Sequence, residues 1–328
     1  MFGHWRRLRT GAVTIAATAL LAAGCGSGGN DSGGNAAGGV EKSEITIGML
    51  PLPEVAPIQI AIDKGFFKAE GLNVKAEAVQ GGAAAMPLLM NGKYDILHSN
   101  YVSAIINASK DGKIKVVGEA YVAKPDNFLL MAKKGSPITK VADLKGKKIG
   151  VNTRNNVATL TTDALLKTNG LTKDDVTYLE KPFPDMVNAL ETGQVDAAFL
   201  PEPFHQAAAA AGNTRIADIM SGPTADFPIA GYLTTDEFSA KNPKTVGAFQ
   251  RALAKAAELA ITNSDEVDAA LGKYTKIDKA TADLMKLGGF STTVNATRLQ
   301  RVADLMLEHQ LLTAKFDVNG MIYSGGAK

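Results

Sequence analysis

Four short stretches of this chain carry groups suited to holding a small polar molecule by hydrogen bonds. Gln80-Gly81-Gly82 stands before a helical pattern, so free backbone N–H groups there could face an anion, or the two glycines could simply make a turn. Ser99, Asn100 and Tyr101 follow a short apolar run and open a helix. The first two could bond a ligand or cap that helix, and Tyr101 could stack on a planar ligand or pack inside. Thr153, Arg154, Asn155 and Asn156 repeat the arrangement. Arg154 could grip a sulfonate, nitrate or carboxylate through its fork of donors, or remain a solvated surface arginine. Glu202 is the opposite case: its carboxylate would repel an anion and welcome an amine or ring N–H, unless it serves as a structural pair on the hinge side. His98 ends a strand pattern and could reach the same region, whereas Tyr121 and Tyr232 are weaker pocket candidates. No Ser/His/Asp pairing, phosphate-cradling glycine loop or metal-ligand spacing stands out, so neither enzyme chemistry nor a cofactor nor a metal is expected.

These groups need a scaffold, and the sequence supplies one by near-repetition. Leu89-Met90-Asn91-Gly92-Lys93-Tyr94-Asp95-Ile96-Leu97 is echoed by Leu190-Glu191-Thr192-Gly193-Gln194-Val195-Asp196-Ala197-Ala198. Each copy reads as an amphipathic helix, a glycine stop, an aspartate and a short apolar strand, which predicts two similar lobes. Asp95 and Asp196 precede their strands, far from any strand-end mouth, and are read as structural. Strands are expected at Ile45–Met49, Asn73–Ala78, Ile96–His98, Ile114–Val122, Phe128–Ala132, Lys148–Val151, Val176–Leu179, Ala197–Leu200 and Ile229–Thr234. Helices alternate with them, among them Val157–Thr168, capped by Asn155 or Asn156. After Pro243 the chain reads as mostly helical. Such alternation predicts an α/β protein with largely parallel sheets. Lys124-Pro125-Asp126 and Phe227-Pro228-Ile229 are the expected crossings between lobes. They divide the body into lobe 1, residues 44–125 plus 229–328, and lobe 2, residues 126–228.

The N-terminus reads as a targeting segment. Arg6, Arg7 and Arg9 precede an uncharged small and apolar run, Ala12 to Ala23, too short to span a bilayer. Residues 1–24 are therefore expected to be a signal peptide. The run ends in Leu21-Ala22-Ala23-Gly24-Cys25, which resembles a bacterial lipobox and marks Cys25 for lipidation. Residues 25–43, rich in Gly, Ser and Asn, would form a tether with a reach of roughly 20–25 Å. Cys25 is the single cysteine of the 328 residues, so no disulfide framework exists. The formal charge of +2 falls close to neutral once the three leader arginines are removed, which argues against nucleic acid as a partner. The membrane would be met through the lipid alone, at the outer face of the cell membrane, by a body expected to be monomeric.

One further stretch carries a resemblance. Ala61-Ile62-Asp63-Lys64-Gly65-Phe66-Phe67-Lys68-Ala69-Glu70-Gly71-Leu72-Asn73-Val74 resembles a signature of the solute-binding family that serves ABC importers for sulfonates, nitrate, taurine and thiamine pyrimidine precursors. The two glycine–aspartate echoes, Val141 to Gly150, and Glu202-Pro203-Phe204 match in the same order, over about residues 44 to 320. The resemblance implies a type II periplasmic-binding fold. It has two lobes, each with a mixed, mostly parallel sheet, a hinge crossed twice, and a ligand at the inter-lobe cleft. Open α/β sheets bind outside the carboxyl ends of their strands. That selects Leu50 to Val55, Gln80 to Gly82, Ser99 to Tyr101, Asn152 to Asn156 and Pro201 to Phe204. It also implies a permease and its ATPase as partners. A fungal sibling of the family makes the thiamine pyrimidine with a cysteine-rich motif, which this body lacks. An enzyme on the same fold and a sensory binding module are the alternatives to import.

Overall fold

The computed structural model describes residues 39–275, 277 and 279–325. The expected signal peptide, Cys25 and most of the tether lie outside them. Ten strands run β1 (Glu44–Met49), β2 (Asn73–Ala78), β3 (Ile96–Asn100), β4 (Ile114–Val122), β5 (Phe128–Ala132), β6 (Lys148–Val151), β7 (Thr177–Glu180), β8 (Ala197–Pro201), β9 (Thr214–Asp218) and β10 (Pro228–Thr235). They form two five-stranded sheets, ordered β2-β1-β3-β10-β4 and β7-β6-β8-β5-β9. In the first, β1 runs parallel to β2 and β3, while β10 is antiparallel to β3 and β4. In the second, β6 runs parallel to β7 and β8, while β5 is antiparallel to β8 and β9. Each sheet thus has four strands pointing one way and one inserted the other way. The inserted strand in each case, β5 or β10, is the first to arrive from the other sheet.

The echoed aspartates explain the matching order. The N–H of Asp95 donates to the Thr46 carbonyl at 2.9 Å, and the Thr46 N–H returns a bond to Asp95 Oδ2 at 2.9 Å. In the second sheet, Asp196 N–H donates to the Lys148 carbonyl at 2.8 Å, and Lys148 N–H donates to Asp196 Oδ2 at 2.9 Å. Each aspartate therefore clasps the start of its neighbouring parallel strand at the end remote from the strand tips. Lys42 Nζ adds a 2.7 Å contact to Asp95 Oδ1.

Helices cover the sheets where their apolar stripes predict. Helices α1 (Ala56–Asp63) and α2 (Phe66–Ala69) are separated by Gly65, which takes a left-handed φ of 71° that favours glycine. They precede α3 (Gly82–Met90), α4 (Tyr101–Asp111), α5 (Val157–Thr168), α6 (Phe183–Glu191), α7 (Phe204–Ala210) and α8 (Asp236–Lys241). The C-terminal region forms α9 (Pro243–Thr262), α10 (Ser264–Tyr274), α11 (Lys279–Leu284) and α12 (Ala296–Glu308). The α9 stripe of Val246, Phe249 and Leu253 is buried, with the Phe249 ring stacked on Phe67 and edge-on to Tyr232. Strand β9 and helix α8 have no counterpart in the sequence expectations. Strand β9 is a half-exposed edge whose Thr-Arg-Ile-Ala-Asp lacks an alternating apolar face. Among the described residues no helix is long and apolar enough to cross a membrane.

The chain passes between the sheets at residues 122–128 and 218–228, and a third segment ties them without crossing. The Lys286 N–H donates to Glu202 Oε1 at 2.6 Å, its carbonyl accepts from Asn127 Nδ2 at 2.9 Å, and the Leu284 carbonyl accepts from Gln206 Nε2 at 3.1 Å.

Two outcomes follow for stability. Asp95→Ala leaves the Thr46 N–H without its carboxylate acceptor and is expected to cost about 1.5–3 kcal/mol, read from urea unfolding; a change under about 0.5 kcal/mol would refute the clasp. Asp163, on α5, is buried, and burial raises its pKa to about 6 although the Tyr178 hydroxyl donates to it at 2.6 Å. The folded state thus holds a proton that the unfolded chain releases near pH 3.9. Stability from this group is full below about pH 4 and is lost as pH rises through about 6. Relative to wild type, Asp163→Asn should gain about 2–3 kcal/mol between about pH 4 and pH 7. A pH-independent difference in urea midpoints would overturn this.

Candidate functional site

A small, partly open cavity lies between the two sheets, at the carboxyl ends of β1, β3, β6 and β8. All five expected loops reach it. Leu50, Leu52 and Glu54 come from the first, Gly82 from the second, Ser99 and Asn100 from the third, Asn152 and Asn156 from the fourth, and Pro201 from the fifth. Phe128, Phe199 and Phe183 supply an aromatic wall from the second sheet. The Phe183 ring is 6.4 Å from that of Phe199 between centroids, with 29° between their planes, and Phe128 is 5.7 Å from Phe199.

Helices α3, α4, α5 and α6 begin at this cavity, and their N-termini differ: α6 follows Pro182 without a side-chain cap. Helix α4 is capped by Asn100, whose Oδ1 accepts from Ser103 N–H at 3.0 Å. Helix α5 is capped by Asn156 rather than Asn155. The Asn156 Oδ1 accepts from Ala158 and Thr159 N–H groups, and its Nδ2 donates to Asn152 Oδ1 and Thr153 Oγ1, both at 2.8 Å. Helix α3 has no side-chain cap: glycine occupies the N-cap, and the first amides stay open to an outside acceptor. Gly82 is required there by close approach. A Cβ on it would stand 2.6 Å from Ser99 Cβ and 2.7 Å from Ser99 Cα.

The floor of the cavity is acidic. Glu54 and His98 are 4% and 2% exposed, and Nε2 of His98 lies 3.0 Å from Oε2 of Glu54. That is ion-pair distance, but off the hydrogen-bond direction, and both ring nitrogens of His98 lack a hydrogen-bond partner. Burial, and then the Glu54 carboxylate, push the Tyr232 hydroxyl well above its ordinary range, and this hydroxyl too is buried without a partner. No lysine or arginine lines the cavity among the described residues.

Several expected contacts sit elsewhere. Tyr101 is buried beneath β10, in the space that Gly231 leaves against its hydroxyl. Arg154 is exposed, and its guanidinium donates to the Tyr178 carbonyl while its N–H donates to Glu180. Together with Asn155, which takes a left-handed φ of 52°, it borders a separate outer groove beside α3 and α4. Glu202 is buried behind the cavity wall, holding Lys286 N–H and Gln206, with His205 Nε2 at 3.2 Å. Gln80 is exposed, and Gly81 and Thr153 face each other across the mouth, a Cβ on Gly81 lying 3.6 Å from Thr153 Cγ2. Gly82, His98, Ser99, Asn100 and Asn156 are the expected residues that line the cavity. Sequence reasoning passed over Glu54 and the phenylalanines. The available signal was a lone carboxylate inside the apolar strand-end stretch Leu50-Pro51-Leu52-Pro53-Glu54-Val55. Among the described residues no group of three or more His, Cys, Asp or Glu is placed to hold a metal ion.

The pattern of the family described as NMT1/THI5 like matches residues 52–267. The chain belongs to that family. A putative aliphatic sulfonates-binding protein from Bacillus subtilis (strain 168) is 26% identical over 328 residues, covering 96% of this chain and 95% of the relative. A 4-amino-5-hydroxymethyl-2-methylpyrimidine phosphate synthase from Aspergillus parasiticus is 25% identical over 218 residues, covering 63% of each. Among solved structures, the alkanesulfonate-binding protein SsuA from Xanthomonas axonopodis pv. citri, bound to MOPS, superposes with a TM-score of 0.73 at 18% identity. The match covers 86% of this chain and 99% of that one, and shows the shared periplasmic-binding fold of this NMT1/THI5-like chain.

A pair of substitutions separates close packing from loop geometry in this family member. Gly82→Ala should destabilise by about 1–3 kcal/mol in urea unfolding, because the Ser99 backbone cannot retreat. Gly81→Ala, with extended φ and ordinary contacts at 3.5 Å or more, should change stability by less than about 0.5 kcal/mol. Equal costs would contradict the geometry.

Proposed function

We propose that this chain is the extracytoplasmic solute-binding component of an ABC import system. It captures a small polar solute between its lobes and delivers it to a permease driven by an ATPase. The observation that carries the reading is the cavity itself. Two sheets of matching order turn their strand tips, the N-termini of α3, α4, α5 and α6 and an aromatic wall toward one space. Residues 44–125 plus 229–328 would move as one lobe and 126–228 as the other, bending where the chain crosses between the sheets. Cys25 would carry the lipid that holds the monomeric body at the outer face of the membrane. The names of the relatives and of a structural neighbour support sulfonate, pyrimidine or nitrate compounds as the solute class, and the sequence resemblance adds taurine. In a cleft largely freed of water each hydrogen bond counts for more.

The relative named as a pyrimidine phosphate synthase supports a second reading, an enzyme on the same fold. Alteration of a bound pyrimidine by the purified chain would favour it over transport.

The first test is a thermal-shift screen of ethanesulfonate, nitrate, taurine and a 4-aminopyrimidine. A true solute at a hundredfold excess over its Kd stabilises by about 2.7 kcal/mol, which moves the melting temperature visibly. Failure of every compound to shift it would remove this solute class. Retained uptake in a deletion strain would remove the import role.

A further inference from the structure

We infer that Glu54 and His98 form a donor-recognising pole that selects solutes bearing an ammonium or N–H group apart from an acidic or carbonyl end. The inference rests on the reading that this cavity holds the solute. Glu54 and His98 come from different segments, the turn after β1 and the middle of β3, and both line the cavity while more than nine-tenths buried. A buried carboxylate is costly unless a cation or donor faces it. Here the facing imidazole nitrogen is near enough to pair yet misdirected. Neither imidazole nitrogen has a hydrogen-bond partner, and the wall holds no lysine or arginine beside the carboxylate. The pair therefore has polar capacity left for a donor, and the solute is the group that would supply it.

The opposite polarity is offered by α3, whose uncapped N-terminus opens on the same cavity at Gly82. Its free amides and positive dipole end suit an oxyanion or carbonyl. Helices α4 and α5 spend part of their N-terminal donors on Asn100 and Asn156, whereas α3, like α6, has no side-chain cap. A solute that satisfies both poles carries a donor at one end and an acceptor at the other. A bare oxyanion such as nitrate would gain the α3 amides and meet the unneutralised Glu54 carboxylate.

The test compares matched probes on the full chain by calorimetric titration: ethanesulfonate against 2-aminoethanesulfonate, and a 4-methylpyrimidine against its 4-amino counterpart. At least one amino member should bind at least tenfold more tightly than its partner, and nitrate more weakly than either sulfonate. Glu54→Gln should shrink that preference at least tenfold, with His98→Gln acting in the same direction. Melting curves confirm that each variant is folded, and the wild-type comparison stands without any variant. Binding of a probe without preference for its amino member, or a preference that survives Glu54→Gln in a folded protein, overturns this inference and leaves the solute-binding reading intact. Absence of binding by every probe overturns both.

Discussion

The bonds that Thr46 and Lys148 N–H groups donate to Asp95 and Asp196 set the register on which the rest of the structure depends. A strand shifted by one residue turns every side chain to the opposite face. In Ile96-Leu97-His98-Ser99-Asn100 that choice decides which groups reach the cavity. Each carboxylate acts at the start of its strand, so the far tips are fixed in space without being tied there. The tips are then free to carry unlike residues on like scaffolds.

From that constraint the cavity follows by addition. Parallel strands end side by side, the next helices begin at those ends, and their N-termini converge. The chain enters each sheet from the other through its antiparallel strand, so β5 and β10 both start beside the junction of the two sheets. Phe128, on β5, and Ile229, on β10, both line the cavity for this reason. The segment at residues 284–288 then binds Asn127, Glu202 and Gln206 from behind, which keeps Glu202 occupied with the frame.

Much of this was legible in the chain. Asp95 and Asp196 follow a repeated helix–glycine pattern, and their structural bonds agree with their place before a strand. The strand-tip rule led to loops that do border the cavity, because chain direction and strand ends are local properties. The particular side chains were less legible. Arg154 and Tyr101 stand in the right loops, yet one turns to the Tyr178 carbonyl and the other passes under β10. Spacing along a loop does not fix the direction in which a side chain leaves it. Edge strand β9 was illegible for a related reason: its half-exposed residues show no periodic apolar face.

The sequence alone determined the family, the two-lobed α/β plan and the loops at the strand tips, since these rest on periodicity, glycine stops and ordered motifs along the chain. The tertiary structure decided which groups face the cavity. Glu54 and His98 are separated by more than forty positions, yet packing places their polar atoms 3.0 Å apart among apolar neighbours. Their proximity, and the unpartnered nitrogens of His98, arise only when the segment after β1 packs against β3.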